Sequence, residues 1–318
     1  MTIAYKGIAN KKFFMRDIQS SISESGIPAG NLSDDEKEIL TLLKYFNIFR
    51  HPLNFDELTR YTSNKLTDWQ FKRLLSRMEE EKRIKFVNGY YLQTQDDEKN
   101  IGKRIRGEQK ARCLIPKARK VGRIIAMFPF VKFVGISGSL SKYYADEKTD
   151  YDFFIITANN TLWICRTILH MMKKLSFLIG KQHCLCMNYF VDEHHLQLDE
   201  KNIFTQIELS TLIPVYNESI YKTFLLRNQG NLKNIRHLKI DFEGAFGYNP
   251  MQKDKRNLAW KSLNLFFMWL TDLKWKYKWE KRGYPMQDYS HAFKTTPYVS
   301  KNHPMNYQKK VLEQLQKQ

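Results

Sequence analysis

The sequence predicts an α+β fold of several parts, built around a small mixed sheet with helices. A polar segment separates two short apolar runs, the first ending before Ser137 and the second beginning after Asp152. Short runs rich in Val, Ile and Phe are typical of buried strands. Three helix-start signals and a hairpin signal precede this core, and mostly helical periodicity follows it. We therefore expect a core flanked by an N-terminal domain of helices with a hairpin and by a C-terminal helical region.

The composition indicates an anionic partner. The chain has 318 residues, enough for two or three domains with their own cores, and a formal net charge of +19. Such a charge favours a nucleotide or a nucleic acid as partner. Four cysteines do not make a disulfide framework, and Cys184 and Cys186 have the wrong spacing for a zinc or redox pair, so both are predicted to be buried in a strand. Without a signal peptide or an apolar run able to cross a bilayer, we expect a cytoplasmic protein and do not favour a membrane as its partner.

The N-terminal third begins with an arm and continues with three helices. Residues 1–32 are expected to form a poorly packed arm, because glycines and a proline near its end break any helix. Three capping-box patterns then predict three helix starts, at Ser33–Glu36, Asn54–Glu57 and Thr67–Gln70. Asn88-Gly89 follows as the preferred two-residue turn of a hairpin.

Three helices followed by a hairpin resemble a winged-helix domain over residues 33–94. The resemblance implies that the third helix enters the major groove of DNA. It would present these basic residues: Lys65, Lys72, Arg73, Arg77 and Lys82. Because Glu79–Glu81 lies on the same helix and would repel phosphates, docking to a protein or to the core is an equal alternative.

Residues 95–130 are predicted to form a basic helical linker. Residues 101–132 contain ten basic residues and a single acidic one, Glu108. Pro116 is expected to interrupt the helix, and Pro129 to end it before the first core strand. A run of charge is usually a solvated face. Since this one leads into the core, it is also a candidate for guiding anions or contacting nucleic acid.

Two carboxylates open the second core strand. Asp150 and Asp152 are two residues apart, a spacing that places side chains on one face of a strand, roughly 6 to 7 Å apart at the backbone. From that separation their oxygens can converge on one cation. Mg²⁺ prefers such oxygen ligands together with substrate phosphates. The pair therefore predicts a magnesium site.

The turn after the first core strand suits a phosphate. Gly138 allows close approach of a ligand to the backbone, and Ser139 adds a hydroxyl beside the exposed N–H groups of a helix start. Lys142, one turn further, is a weaker candidate for the same anion.

Together these residues resemble a known signature. Gly138-Ser139, ten intervening residues and then Asp150-x-Asp152 between apolar runs are similar to the pattern of the polymerase-β-like nucleotidyltransferase superfamily. The resemblance covers residues 131–191 of a core predicted at 131–200. It implies that Gly138 and Ser139 contact a nucleoside triphosphate and that the two aspartates hold Mg²⁺.

The resemblance also implies a third carboxylate on the next strand, which is predicted at Leu185–Val191. Asn188 stands at the central position there, and an amide cannot accept the proton of an attacking hydroxyl. Three explanations are open. Asp192 could substitute from further along the same face, Glu208 could reach in from the following helix, or the site could bind nucleotide and metal with little or no turnover.

Residues 201–318 are predicted to form a helical region. Its longest helix, Asp254–Lys281, combines many aromatic residues with lysines. Interleaved aromatic and basic residues can stack on single-stranded bases, and a basic amphipathic helix can lie on a membrane surface. Packing against the core is the commonest use of such a pattern. A short helix is expected at the C-terminus.

The resulting hypothesis is a cytoplasmic nucleotidyltransferase that uses Mg²⁺ to move a nucleotidyl group from a nucleoside triphosphate to an acceptor hydroxyl. The alternative is a winged-helix DNA-binding regulator with a nucleotide-sensing or inactive core. The sequence does not select an acceptor, a base or an oligomeric state.

Overall fold

The computed structural model describes residues 32–63, 66–177, 186–232, 257–284, 286–302 and 307–317. The predicted arm, Lys65 and Cys184 lie outside these ranges. The described residues form two compact units, which divide between Ile105 and Arg106. Residues 32–105 and 307–317 make the first unit, and residues 106–302 make the second. Each unit contains helices and a sheet, so the predicted α+β class is confirmed.

The first unit begins with the three predicted helices. They are α1 (Asp34–Ile48), α2 (Phe55–Tyr61) and α3 (Asp68–Glu80). In each, the side chain of the N-cap residue accepts a hydrogen bond from the third helical residue, whose own side chain accepts from the N-cap backbone. All three predicted capping boxes are therefore confirmed.

A three-stranded antiparallel sheet completes this unit. Its strands are β1 (Leu53–Asn54), β2 (Ile84–Val87) and β3 (Tyr90–Gln93), in the order β1-β3-β2. The predicted hairpin turn is confirmed, because Asn88 and Gly89 have φ of 51° and 86° and such left-handed values define the favoured hairpin turn. The C-terminal helix α12 (Tyr307–Lys317) packs against α1 and buries Val311.

A buried ion pair links α2 to the helix α4 (Lys99–Ala126). Arg104 is 1% exposed, and its Nη2 donates to Glu57 Oε1 at 2.5 Å. The other oxygen of Glu57 accepts from the backbone N of Asn54 at 3.1 Å. Burial would raise the pKa of Glu57, but a hydrogen bond from His51 and the charge of Arg104 outweigh it and lower the pKa. Arg104 belongs to the basic run that was predicted to be a solvated face, but it is buried and has a structural role.

Glu57→Gln is expected to lower the free energy of unfolding by about 2 kcal/mol at pH 7, because it keeps the cap but removes a charged hydrogen bond. A lowered carboxyl pKa stabilises the fold above the unfolded pKa, near 4.5, and this contribution is lost as the pH falls through the folded value. Urea unfolding of both proteins at several pH values should show the difference shrinking below pH 4.5. A constant difference would contradict the assignment.

Helix α4 runs without interruption through Pro116, so the predicted break is wrong. Proline removes one backbone hydrogen bond, to the carbonyl of Arg112, but both residues lie on the exposed side where water can bond that carbonyl. The opposite side is buried through Ala111, Ile115 and Ala118. Burial of this face holds the helix together across the proline.

The second unit is built on a six-stranded mixed sheet in the order β7-β4-β5-β6-β9-β8. Neighbouring strands are antiparallel except β5 and β6, which are parallel. The strands are β4 (Val131–Ile136), β5 (Asp152–Thr157), β6 (Cys186–Asp192), β7 (Ile213–Tyr216), β8 (Phe293–Thr296) and β9 (Val299–Asn302).

Three of these strands lie in the region that was predicted to be helical. β7 pairs with β4, whereas β8 and β9 extend the sheet beyond β6. The three strands have four residues each, too few to show a clear period, and their pairing with strands distant in the chain determines their conformation. The expectation of an all-helical C-terminal region is therefore wrong.

Helices cover both faces of the sheet. On one face α4, α6 (Leu162–Phe177) and α10 (Asn257–Lys281) form the main core around Trp163 and Phe153. On the other lie α7 (Ile203–Thr211) and α8 (Glu218–Arg227), with Phe224 against Phe154. Three short helices complete the unit: α5 (Gly138–Ser141), α9 (Gln229–Leu232) and α11 (Tyr289–Ala292). Among the helices described, none is sufficiently long and apolar to pass through a bilayer.

Candidate functional site

The turn at Gly138 lies directly against Asp152. Strands β4 and β5 are neighbours, and the backbone N of Ser137 donates to the carbonyl oxygen of Asp152 at 2.9 Å. Gly138 has a φ of 68°, and a Cβ at this position would lie 2.4 Å from Asp152 Oδ2. A side chain therefore cannot be added without moving the carboxylate. The structure brings two of the residues predicted for the site into contact.

Negative charge is concentrated at Asp152. Its pKa is raised from 3.8 to about 6, chiefly by burial, and the neighbouring charges of Asp150 and Glu208 raise it further. A hydrogen bond from the thiol of Cys186 and the charge of Lys142 act in the opposite direction. Two predicted aspartates and the predicted candidate Glu208 thus share one electrostatic environment.

Lys142 occupies the centre of this group. Its Nζ lies 2.7 Å from Glu208 Oε1 and donates to the carbonyl oxygen of Gly138 at 3.0 Å. Ser139 is exposed beside it, and its carbonyl oxygen accepts from the backbone N of Lys142. The cation that the sequence suggested for a phosphate is therefore paired with a carboxylate.

Asn188 approaches Asp152 from strand β6. Its Nδ2 donates to Asp152 Oδ1 at 3.3 Å and to Cys186 Sγ at 3.1 Å. The ladder shows why: Phe153 is opposite Met187, but Phe154 is opposite Tyr189, so Asn188 is an extra residue in a β-bulge. An amide donor thus stands where the resemblance implied a third carboxylate.

Asp192 does not replace that carboxylate. The bulge shifts the alternation of β6 by one residue, and Asp192 is opposite Thr157, on the other face of the sheet from Asp152 and about 16 Å along the strand. Its oxygens accept from the backbone N atoms of Asn160 and His194 at 2.8 Å. Asp192 closes a turn, and the expectation that it lies on the same face as Asn188 is wrong.

Cys186 belongs to the site, although the sequence indicated only a buried strand residue. It is directly opposite Asp152 in the parallel ladder. Burial, with the charge of Asp152 as the next cause, raises the pKa of this thiol to about 12. The thiol is therefore neutral and acts as a hydrogen-bond donor to the carboxylate. Only the residue-by-residue pairing of β5 with β6 could have shown that Cys186 lies beside Asp152.

Two contacts hold the elements of the site together. Ser141 Oγ lies 3.2 Å from Thr211 Oγ1, which connects α5 to α7, the helix that carries Glu208. The backbone N of Ala145 donates to the carbonyl oxygen of Gly107 at 3.1 Å and connects the loop before Asp150 to α4. These contacts hold α5 against α7 and the loop against α4.

The donor atoms fit a hard divalent cation. Asp152 is the first residue of β5, whereas Asp150 precedes the strand, so the prediction that both lie on the strand is wrong for Asp150. The two carboxylates lie close enough for their charges to interact. Mg²⁺ typically takes one or two carboxylates while water and substrate phosphates complete its shell. Burial is the main cause of the raised pKa of Asp152, and a bound cation would favour the charged form of this carboxylate. No cluster of three His, Cys, Asp or Glu side chains with metal-binding geometry occurs in the ranges that the structure describes. Two protein carboxylates leave positions around such a cation for water and for ligand oxygens.

Some of the basic residues that were predicted to contact nucleic acid are exposed, and others are buried or paired. On α3, Lys72 and Arg73 are exposed, whereas Arg77 forms an ion pair with the buried Glu36 at 2.8 Å. On α4, Arg104 is buried and Arg119 donates to the carbonyl oxygen of Pro214 at 3.1 Å. Much of the remaining charge on α4 is exposed.

Comparisons of the chain with protein-family models, with curated proteins and with solved structures found no match.

Proposed function

We propose that the second unit is a nucleotidyltransferase, which moves a nucleotidyl group from a nucleoside triphosphate to an acceptor hydroxyl. The observation that carries the proposal is the approach of Gly138 to Asp152, with Asp150, Lys142 and Glu208 around them. Only glycine adopts this left-handed φ without strain, and its missing side chain lets the backbone approach the carboxylate of Asp152 closely, as a site that holds a ligand against the backbone requires. The sequence resemblance assigns the same residues to a triphosphate and its metal.

Each residue has a distinct role in this proposal. Asp150 and Asp152 would hold Mg²⁺, which when bound neutralises charge on the triphosphate and lowers the pKa of a coordinated hydroxyl. Gly138 and Ser139 would orient the phosphates through the backbone and the exposed hydroxyl. Asn188 and Cys186 donate hydrogen bonds to Asp152 and fix the direction of its carboxylate.

Lys142 and Glu208 would work as an exchangeable pair. An incoming triphosphate offers Lys142 a more highly charged partner than Glu208, whose carboxylate lies 2.7 Å away. Transfer of Lys142 to a phosphate would release Glu208 to accept the proton of the acceptor hydroxyl. Of the three explanations for Asn188, this geometry favours Glu208 as the third carboxylate.

The test is incubation of the full chain with labelled nucleoside triphosphates, Mg²⁺ and candidate acceptors: RNA, DNA, small hydroxyl compounds and the protein itself. We expect a covalently labelled acceptor and release of pyrophosphate. Asp150→Ala should reduce the rate of labelling by a factor of roughly 10³ or more, since it removes a group needed in the transition state. Labelling by that variant at the wild-type rate would refute the proposal.

A winged-helix DNA-binding regulator is the second candidate, supported by the three-stranded sheet beside α3 and by the exposed Lys72 and Arg73. Against it, Arg77 is paired with Glu36 and Glu79–Glu81 adds negative charge. Duplex binding that weakens steeply with salt, without transfer to any acceptor, would favour this candidate.

A further inference from the structure

Helix α10 presents a continuous apolar stripe to solvent. Leu263, Phe266, Leu270, Leu273 and Tyr277 follow one another at spacings of three and four residues, which place them on one side of a helix. The last four are between 46% and 63% exposed, and Trp269 beside them is 59% exposed. A row of large exposed apolar side chains rimmed by polar residues is typical of an interaction surface.

The side of α10 opposite the stripe holds the helix in the unit. The opposite side of α10 is buried through Asn264, Trp275 and Trp279. Asn264 Oδ1 accepts from the backbone N of Trp163 at 2.7 Å, and Trp275 packs against Trp163 with ring centroids 5.9 Å apart. The helix is therefore anchored through this buried side, and the stripe takes no part in these contacts.

Positive charge borders the stripe. Residues 257–282 include six basic residues and two acidic ones. Lys274, Lys278 and Lys281 project along one border, and none of them forms an ion pair within the described part of the chain. Lys276 on the other border pairs with Asp272 at 2.7 Å. Lys174 of α6 lies close enough to Lys274 to help lower its pKa, after burial as the main cause. The border with Lys274, Lys278 and Lys281 therefore carries unneutralised positive charge beside the apolar surface.

We propose that this face of α10 binds the surface of an anionic lipid membrane. Leucine and phenylalanine would enter the boundary of the acyl chains, Trp269 and Tyr277 would lie at the level of the headgroups, and the lysines would contact lipid phosphates. A second copy of the chain is a poorer occupant because it would bring the lysine borders together. Single-stranded nucleic acid is a poorer one because three members of the stripe are leucines, which have no ring for stacking.

The experiment is co-sedimentation of the full chain with phosphatidylcholine vesicles that contain or lack phosphatidylglycerol. We expect the protein to pellet only with the anionic vesicles. Lys274→Glu/Lys278→Glu should reduce its vesicle affinity by about tenfold or more. Trp269→Ser/Leu273→Ser should reduce it by a similar factor, because it removes apolar area that enters the membrane.

Two matched variants test whether vesicle binding depends on this surface or only on net charge and nonspecific apolar contact. Lys117→Glu/Lys120→Glu makes the same change of charge at exposed positions of α4, and Trp69→Ser removes a tryptophan that is 67% exposed on α3. Both should bind anionic vesicles as the wild type does, within about twofold. Thermal denaturation of every variant checks folding.

Failure of the wild type to pellet with anionic vesicles would overturn the proposal and leave an acidic protein as the occupant. An equal loss in the α4 variant would also overturn it, because binding would then reflect net charge alone. Since none of these substitutions touches the site around Asp152, nucleotidyl transfer measured in parallel keeps the two proposals independent.

Discussion

Asp152→Asn is expected to abolish nucleotidyl transfer and, at the same time, to make the metal-free protein more stable. Loss of one metal-binding carboxylate should reduce transfer by a factor of roughly 10³ or more. Stability should increase because the fold holds this carboxylate at a cost, with its pKa raised from 3.8 to about 6 by burial and by neighbouring carboxylates. That shift corresponds to about 3 kcal/mol, of which we expect about 2 kcal/mol after the loss of hydrogen bonds from Cys186 and Asn188.

The stability difference between Asp152→Asn and the wild type depends on pH. A carboxyl group with a raised pKa in the folded state destabilises the fold when it ionises, so the cost is absent below pH 3.8 and complete above about pH 6. Unfolding in the presence of a chelator should show the advantage of the variant growing across that interval. Added Mg²⁺ should stabilise only the wild type. Equal stability of the two proteins at pH 8 would show that Asp152 is not under this strain.

Gly138→Ala should have the second largest effect. A φ of 68° costs an alanine about 1 kcal/mol or somewhat more, and its Cβ would lie 2.4 Å from Asp152 Oδ2. The carboxylate must move, and we expect transfer to fall by about 100-fold or more because the position of this group matters at the scale of an ångström. Transfer rates and urea unfolding measure the two effects separately.

Gly283→Ala is the matched control. Gly283 has a φ of 69°, and nothing lies within 4 Å of a Cβ built there. The two variants should therefore lose a similar amount of stability from the backbone, while only Gly138→Ala loses transfer. If both retain wild-type transfer, the contact between Gly138 and Asp152 has no role in the reaction.

Local signals in the sequence predicted local structure well. The three capping boxes and the Asn88-Gly89 turn depend on residues no more than three positions apart, and all four occur as predicted. The two core strands around the turn at Gly138 were also predicted, and their antiparallel pairing brings Gly138 to Asp152. The caps, the turn and the two strands follow from local spacing, whereas the antiparallel pairing of the strands was not predicted.

Features that depend on distant parts of the chain could not be predicted. The extra residue at Asn188 is visible only when β5 and β6 are paired, and it moved Asp192 to the other face. Strands β7, β8 and β9 exist because they pair with partners far away in sequence. Arg104 resembled its exposed neighbours in a basic run, yet Glu57, 47 positions away, makes it a buried partner.

The bulge places the side chain of Asn188 in the site without using this residue in strand pairing. Asn188 has no opposite residue in β5, so the pairs on either side of it, Phe153 with Met187 and Phe154 with Tyr189, do not depend on its side chain. Its amide nevertheless touches Asp152. A position that contacts Asp152 but has no partner in the ladder can exchange amide, hydroxyl or acid through single mutations without a change in strand pairing. Under the proposed function, such exchanges would change the activity of the site while the domain keeps its fold.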